Sequence, residues 1–249
     1  MRSIKVVELD PSDASLDSLV AKSHQTSLYV TRDWRLAQPS KLILGAMSED
    51  QLVAAAFVEE SLTALPFVGY RGILQTKREQ VEAVTALLQV ALKVKPACLW
   101  NAPALVDVRP AYWMFPQALW RTDIRYTLFL DGRCRPFREL EAVEVEDGEG
   151  SECHIPWATQ EIADTFERLR ILPSTLTFHS GPATLIVGVD SQDRGYVIAG
   201  WGPGLDALTW SVAPRFASLD LGGANSPTMA SKKRNLGAHL RTSYKLFNV

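Results

Sequence analysis

The residues best placed to do chemistry lie near the end of the chain. Asp220-Leu221-Gly222-Gly223-Ala224-Asn225-Ser226-Pro227 is followed closely by Lys233-Arg234-Asn235-Leu236-Gly237. Asp220 falls at the end of an expected strand, Phe216–Leu221. A carboxylate there is either a polar group facing a cleft or a turn acceptor that bonds the backbone of Gly222 or Gly223. The two glycines serve backbone shape on either reading. From Leu221 to Val249 the chain carries five Lys/Arg residues (Lys232, Lys233, Arg234, Arg241, Lys245), His239 and no acid. A local basic patch of this kind suits a phosphate-bearing ligand, with Lys233 as its principal cation. The solvated face of a helix is the competing reading.

Further candidates are scattered. Tyr70 and Arg71 stand between Gly69 and Gly72 on an expected strand edge, as part of an acceptor wall or as packing. Trp34 is a similar case, and so is Arg109, in a Pro-bounded loop of the kind that often carries function. His24, His154, His179 and His239 are dispersed, so no nucleophile–base–acid triad is visible. Cys98, Cys134 and Cys153 show no metal-ligand spacing. Their odd number suits reduced thiols, and no metal site is expected.

The bulk numbers narrow the class. The chain has 249 residues, 47% of them hydrophobic and 22% charged, with a formal net charge of −2. It can bury a large core, and as a whole it is not an electrostatic binder of nucleic acid. The opening residues lack the apolar stretch of a signal peptide and no run is long enough to span a membrane, so a cytoplasmic protein is expected.

These residues need elements to hold them. A strand at 4–8 leads through Asp10-Pro11-Ser12-Asp13 into a helix carrying Leu16, Leu19 and Val20. Leu42–Ala46 and Leu52–Val58 predict a hairpin with both faces buried, and Val68–Leu74 another strand. Arg78–Val94 reads as a helix closed by Pro96, and strands follow at Leu99-Trp100 and Tyr126–Leu130. Seven acidic residues and no Lys or Arg between Glu139 and Glu152 mark a solvated linker, with a cation-binding loop as the alternative. The second half repeats the plan: a helix at Gln160–Leu169, then a hairpin from Thr184–Val189 and Gly195–Trp201. Leu205–Val212 fits a helix entered through Gly202-Pro203-Gly204, although Leu208, Trp210 and Val212 also alternate. The helix is preferred because Phe216–Leu221 already supplies the next strand. A short helix at Thr228–Asn235 and a strand at Thr242–Phe247 close the chain.

In this order the motifs resemble a known group. Ser27-Leu28-Tyr29-Val30-Thr31-Arg32-Asp33-Trp34, Pro66-Phe67-Val68-Gly69-Tyr70-Arg71-Gly72-Ile73-Leu74, Asp107-Val108-Arg109-Pro110 with Tyr126-Thr127-Leu128, and the D-x-G-G-x-x-x-P and K-x-x-F-G-like pair at Asp220 and Lys233 resemble the two-lobed Fem peptidyl transferases and GNAT acyltransferases. The resemblance implies an α/β fold of mixed sheets in tandem GNAT-like lobes. The first lobe would cover residues 1–138, an acidic linker 139–155, and a reduced second lobe 156–249. It implies an acyl or aminoacyl transferase acting on an amine, in cell-surface glycan, peptidoglycan-like or natural-product assembly. Asp220 and Tyr70 would be catalytic. Lys233, Gly222, Gly223, Asn225, Gly202 and Gly204 would hold the donor, and Trp34, Arg71 and Arg109 the acceptor. No resident cofactor is implied; acyl-CoA or aminoacyl-tRNA would be a co-substrate, with tRNA meeting the basic C-terminal segment and a small-molecule or glycan-linked amine accepting. The chain departs from the pattern in its short second lobe and in lacking the R/Q-x-x-G-x-G/A string that holds a coenzyme A pyrophosphate. Weak or absent acetyl-CoA binding is therefore expected. The alternative is a non-catalytic GNAT-like binding protein that has lost its donor site.

Overall fold

The computed structural model describes residues 4–60, 69–76, 80–91, 93–102, 121–136, 140–148, 159–223 and 227–248. In chain order the elements are β1 (Ile4–Glu8), α1 (Ala14–Lys22), α2 (Arg32–Ala37), β2 (Leu42–Ser48), β3 (Gln51–Val58), β4 (Ile73–Gln75), α3 (Val81–Ala91), β5 (Ala97–Asn101) and β6 (Arg121–Leu130). Then come β7 (Glu146–Asp147), α4 (Gln160–Arg170), β8 (Thr175–Ser180), β9 (Ala183–Val189), β10 (Arg194–Trp201), α5 (Leu205–Val212), β11 (Ser218–Gly223), α6 (Pro227–Asn235) and β12 (His239–Asn248). The chain divides into two compact units, Met1–Arg125 with Thr242–Val249, and Tyr126–Arg241.

The first unit contains the sheet β1-β2-β3-β4, antiparallel throughout its described pairs. The β2–β3 hairpin turns through Glu49 and Asp50, both at positive φ, with Ser48 opposite Gln51. Two successive left-handed residues give the turn whose twist matches the strands. Alternation along β3 then decides the packing. Ala54, Ala56 and Val58 face α3 through Val84, Leu87, Leu88 and Ala91, while Ala55 and Phe57 join Leu16, Leu19 and Val20 of α1. With both faces covered, the strand reads as an unbroken apolar run. The other strand pair of this unit is β5 with the end of β12, antiparallel from Ala97↔Asn248 to Asn101↔Tyr244.

In the second unit the order is β6-β11-β10-β9-β8-β7, and one pair, β10 with β11, is parallel. The crossover between these two strands is α5, so the segment after Trp201 is the expected helix. Leu208 and Val212 of α5 pack on Leu185 and Val187 of β9, with Leu130, Leu219 and Leu221 in the same cluster. Strand β8 was not foreseen. Its Thr175-Leu176-Thr177-Phe178 alternation carries the signal, and Gly181-Pro182 turns it into β9 with Ser180 opposite Ala183. Of the acidic stretch, residues 140–148 are described; they belong to the second unit, and Glu146–Asp147 pair with His179 and Phe178 of β8.

Candidate functional site

Strands β10 and β11 are hydrogen-bonded in parallel only from Arg194↔Ser218 to Tyr196↔Asp220. Both strands continue, β10 to Trp201 and β11 to Gly223, without pairing to each other. Each is bulged where the pairing stops. In β10 the register against β9 slips between Val197 and Ala199, leaving Ile198 as the extra residue. In β11 the register against β6 slips between Asp220↔Phe129 and Gly223↔Thr127. A bulge bends its strand and raises its twist, so two bulges at one level part the strands. They open an edge of main-chain groups at the carboxyl ends of a parallel pair.

The C-terminal motif builds the β11 bulge. Gly222 takes φ +72, a conformation that suits glycine. The Asp220 carboxylate is buried, accepts the Gly222 N–H at 2.7 Å and accepts the Thr127 hydroxyl. Nζ of Lys233 on α6 donates to the carbonyls of Leu221 (2.5 Å), Gly222 (3.2 Å) and Gly223 (2.6 Å). An ammonium has three N–H donors, and here each has a carbonyl. Burial pulls the Lys233 ammonium below its ordinary value, with the Asp220 charge opposing. The geometry thus gives Asp220 the turn-acceptor role and Lys233 the task of clipping the bulge. For Lys233 to meet a phosphate, one of these bonds would have to break. Its neighbours Lys232 and Arg234 are exposed.

Gly202 and Gly204 lie at the same end of the parallel pair, in the turn from β10 to α5. Gly202 has φ +93, and a Cβ on it would stand 2.1 Å from the Pro182 carbonyl oxygen. Gly204 has φ +86 and caps α5 without a side-chain hydrogen bond. The start of this helix is a poor seat for a pyrophosphate, since Pro203 lacks an N–H and Asp206 places a carboxylate in the first turn.

Below the splay lies a buried network that sequence reasoning missed. Asp190 accepts from the backbone of Gln192 (2.8 Å) and Arg194 (3.1 Å), from Arg194 Nε (2.7 Å) and from the Tyr196 hydroxyl (2.9 Å). Burial pushes the Tyr196 phenol well above its ordinary value, so it remains protonated. The available signal was Asp190-x-x-x-Arg194-x-Tyr196 around a polar turn. Asp190 and Arg194 flank that turn, and Tyr196 is the third residue of β10.

Trp34, Tyr70 and Arg71 come together in the first unit, around Tyr29. The Tyr29 ring meets Trp34 edge-on at 5.9 Å and Tyr70 at 6.1 Å, and Tyr70 meets Trp100 at 5.6 Å. Tyr70 and Arg71 are outside any strand and, like Trp34, are buried. The strand-edge expectation is corrected: aromatic packing draws this segment inward. Arg71 donates to the Tyr29 carbonyl (3.0 Å), Ser40 Oγ (3.3 Å) and the Glu59 carboxylate (3.2 Å), while its Nη2 and Trp34 Nε1 are buried without a hydrogen-bond partner among the described residues. Arg109 and Asn225 lie outside the described residues.

No family model matches the sequence, and no curated protein matches it. Solved structures do. The chain is similar to a tandem GNAT protein from the clavulanic acid biosynthesis pathway, with a TM-score of 0.57 and 12% identity over 99% of this chain and 98% of that one. It is also similar to an acetyltransferase from the GNAT family from Colwellia psychrerythraea, with a TM-score of 0.54 and 12% identity over 98% and 99% of the two chains. At such identities the likeness establishes the fold: mixed α/β, of the GNAT type.

Proposed function

We propose, starting from a GNAT fold whose parallel strands part at paired bulges, that the chain is an acyltransferase acting on an amine. The observation that carries this reading is the loss of pairing beyond Tyr196 and Asp220. In open α/β sheets, ligands enter at the carboxyl ends of parallel strands. From Ala199 to Trp201, β10 pairs with β9 and not with β11. The ester carbonyl and amino group of an aminoacyl donor can hydrogen-bond to these unpaired main-chain groups much as an added strand would. A backbone N–H at the same edge would polarise the acyl carbonyl and stabilise the charge that forms on its oxygen as the amine attacks. Neither Asp220, committed to its turn, nor Tyr196, which stays protonated, is placed to take the amine's proton.

The start of α5 supports a donor that places no pyrophosphate there, and aminoacyl-tRNA fits better than acyl-CoA. Lys232 and Arg234, exposed on α6, are cations that can face its phosphates. The acceptor class follows the Fem-like motifs, an amine in glycan, peptidoglycan-like or natural-product assembly. A non-catalytic binding protein is the second reading, favoured by the full engagement of Lys233. Calorimetry with acetyl-CoA and an amine-dependent loss of the aminoacyl ester from charged tRNA test the proposal. The expected result is no low-micromolar acetyl-CoA binding, together with amine-dependent transfer. If neither donor is consumed with any amine, the binding-protein reading replaces this one.

A further inference from the structure

Beside the strand ends opposite the splay, three reactive side chains meet. Because β6 runs antiparallel to β11, Leu130 lies against Leu219, while Thr127 lies against Gly223 at the splayed end. Just past Leu130, the Cys134 sulfur is 3.6 Å from His239 Nδ1, and His239 Nε2 is 3.7 Å from Asp131 Oδ2. Thiol, imidazole and carboxylate are side chains of the kind that build a nucleophilic site, and Arg241 is the group that orients the imidazole.

The hydrogen bonds fix how the imidazole is used. Arg241 Nε, which can only donate, lies 3.3 Å from His239 Nε2. A neutral ring accepting there carries its proton on Nδ1, aimed at the sulfur. The Asp131 backbone N–H also donates to the sulfur, at 3.3 Å. The surroundings are cationic. Arg133 pairs with Asp131 at 2.8 Å, Arg241 lies 3.8 Å from the same carboxylate, and Arg135 donates to the Cys134 carbonyl at 2.8 Å. The sulfur thus faces two N–H donors, with the Phe129 carbonyl (3.7 Å) and Asp131 Oδ1 (3.8 Å) as acceptors for its own proton. The same three side chains could surround a metal ion. However, a proton on Nδ1 and two arginines on the carboxylate oppose a cation there.

We propose that Cys134 is a nucleophilic thiol site at which hydroperoxides oxidise the chain, assembled by His239, Asp131 and Arg241 away from the splayed strands. In the reaction the thiolate attacks one peroxide oxygen. The S–O bond forms as the O–O bond breaks, and the departing hydroxide takes a proton to become water (an alkoxide leaves as alcohol). The product is a sulfenic acid. Cys134 is 7% exposed, while the side chains of His239 and Arg241 above it are over a third exposed, so entry is limited to small oxidants.

Cys98 supplies an internal control, because burial pushes its thiol up to about 11. The test treats the full chain with hydrogen peroxide and a sulfenic-acid trap, then measures each cysteine by peptide mass spectrometry. Cys134 is expected to be trapped at least about tenfold faster than Cys98, and His239→Asn to slow it by at least about tenfold. Arg241→Gln, a milder change, should slow it in the same direction. In denaturant the variants and the parent should react alike, which separates loss of the imidazole from loss of the fold. Oxidation no faster than in the unfolded chain, or an unchanged rate in His239→Asn, overturns the proposal. So does one equivalent of zinc bound at micromolar concentration that abolishes the reaction, which would make the cluster a metal centre.

Discussion

The ammonium of Lys233 sits 2.6 Å from the carbonyl oxygen of Gly223, closing a clip from α6 onto the strand bulge that ends β11. The K-x-x-F-G-like motif thus does structural work that its charge alone does not suggest. Lys233→Met should remove the clip and leave three carbonyls short of a donor, costing about 2–3 kcal/mol of folding stability. Lys232→Met, at an exposed neighbour, should stay within about 0.5 kcal/mol. Urea unfolding of both variants checks this. A Lys233→Met chain with unchanged stability and weakened tRNA binding would restore a phosphate-facing role.

The two glycines before α5 should respond differently to alanine. Gly202→Ala combines positive φ with a Cβ against the Pro182 carbonyl, so a loss of about 3 kcal/mol or more is expected. Gly204→Ala meets no atom within 4 Å and pays the left-handed backbone cost alone, about 1–2 kcal/mol. Equal losses would show that the Pro182 contact relaxes freely.

Arg71 and Glu59 form a buried pair at 3.2 Å. Arg71→Met leaves the Glu59 carboxylate uncompensated and should cost about 3–5 kcal/mol. Adding Glu59→Gln should recover part of that loss. A single variant that unfolds normally but no longer binds its amine would return Arg71 to the acceptor site.

Asp131 gives a pH test. The Arg133 side chain, bonded to it, holds its carboxyl down at about 2, against about 3.9 for an unfolded aspartate. A depressed carboxyl contributes stability that is complete above the unfolded value and lost as pH falls through the folded one. The gap in thermal midpoint between the parent and Asp131→Asn should therefore be widest above about pH 5 and close only below about pH 2. A constant gap across that range would contradict the Arg133 pairing.

Local patterning carried most of the fold. The β2–β3 hairpin, α3, the β9–β10 hairpin and α5 were legible because apolar period, polar turns and Gly or Pro boundaries agreed at each. Strand β8 escaped notice because its two threonines, histidine and serine look polar when counted rather than alternated. At the site, the sequence drew attention to Asp220, Gly222, Gly223 and Lys233, leaving Asp220 between a cleft group and a turn acceptor and giving Lys233 to a phosphate-bearing ligand. What joins them is a bulge, and bulges depend on the partner strand. Neither Thr127 opposite Gly223 nor the three carbonyls over Lys233 can be read from spacing. Tyr70 and Arg71 were misplaced for a similar reason, since the ring of Tyr29 that draws their segment inward is more than forty residues earlier.

The first unit is discontinuous, and that has a consequence for how the chain is made. Residues 242–248 supply the partner for β5, including the Asn248 side chain that accepts the Ala97 N–H at 2.7 Å. During synthesis the hairpin β2–β3 and helices α1 and α3 can assemble early, but β5 must wait until the second unit has been translated. Until then it presents Ala97-Cys98-Leu99-Trp100 as an open, apolar edge, the kind of surface that invites pairing with another chain. A strand made after the whole second unit completes the first, so loss of residues 242–248 should harm the first unit more than the second.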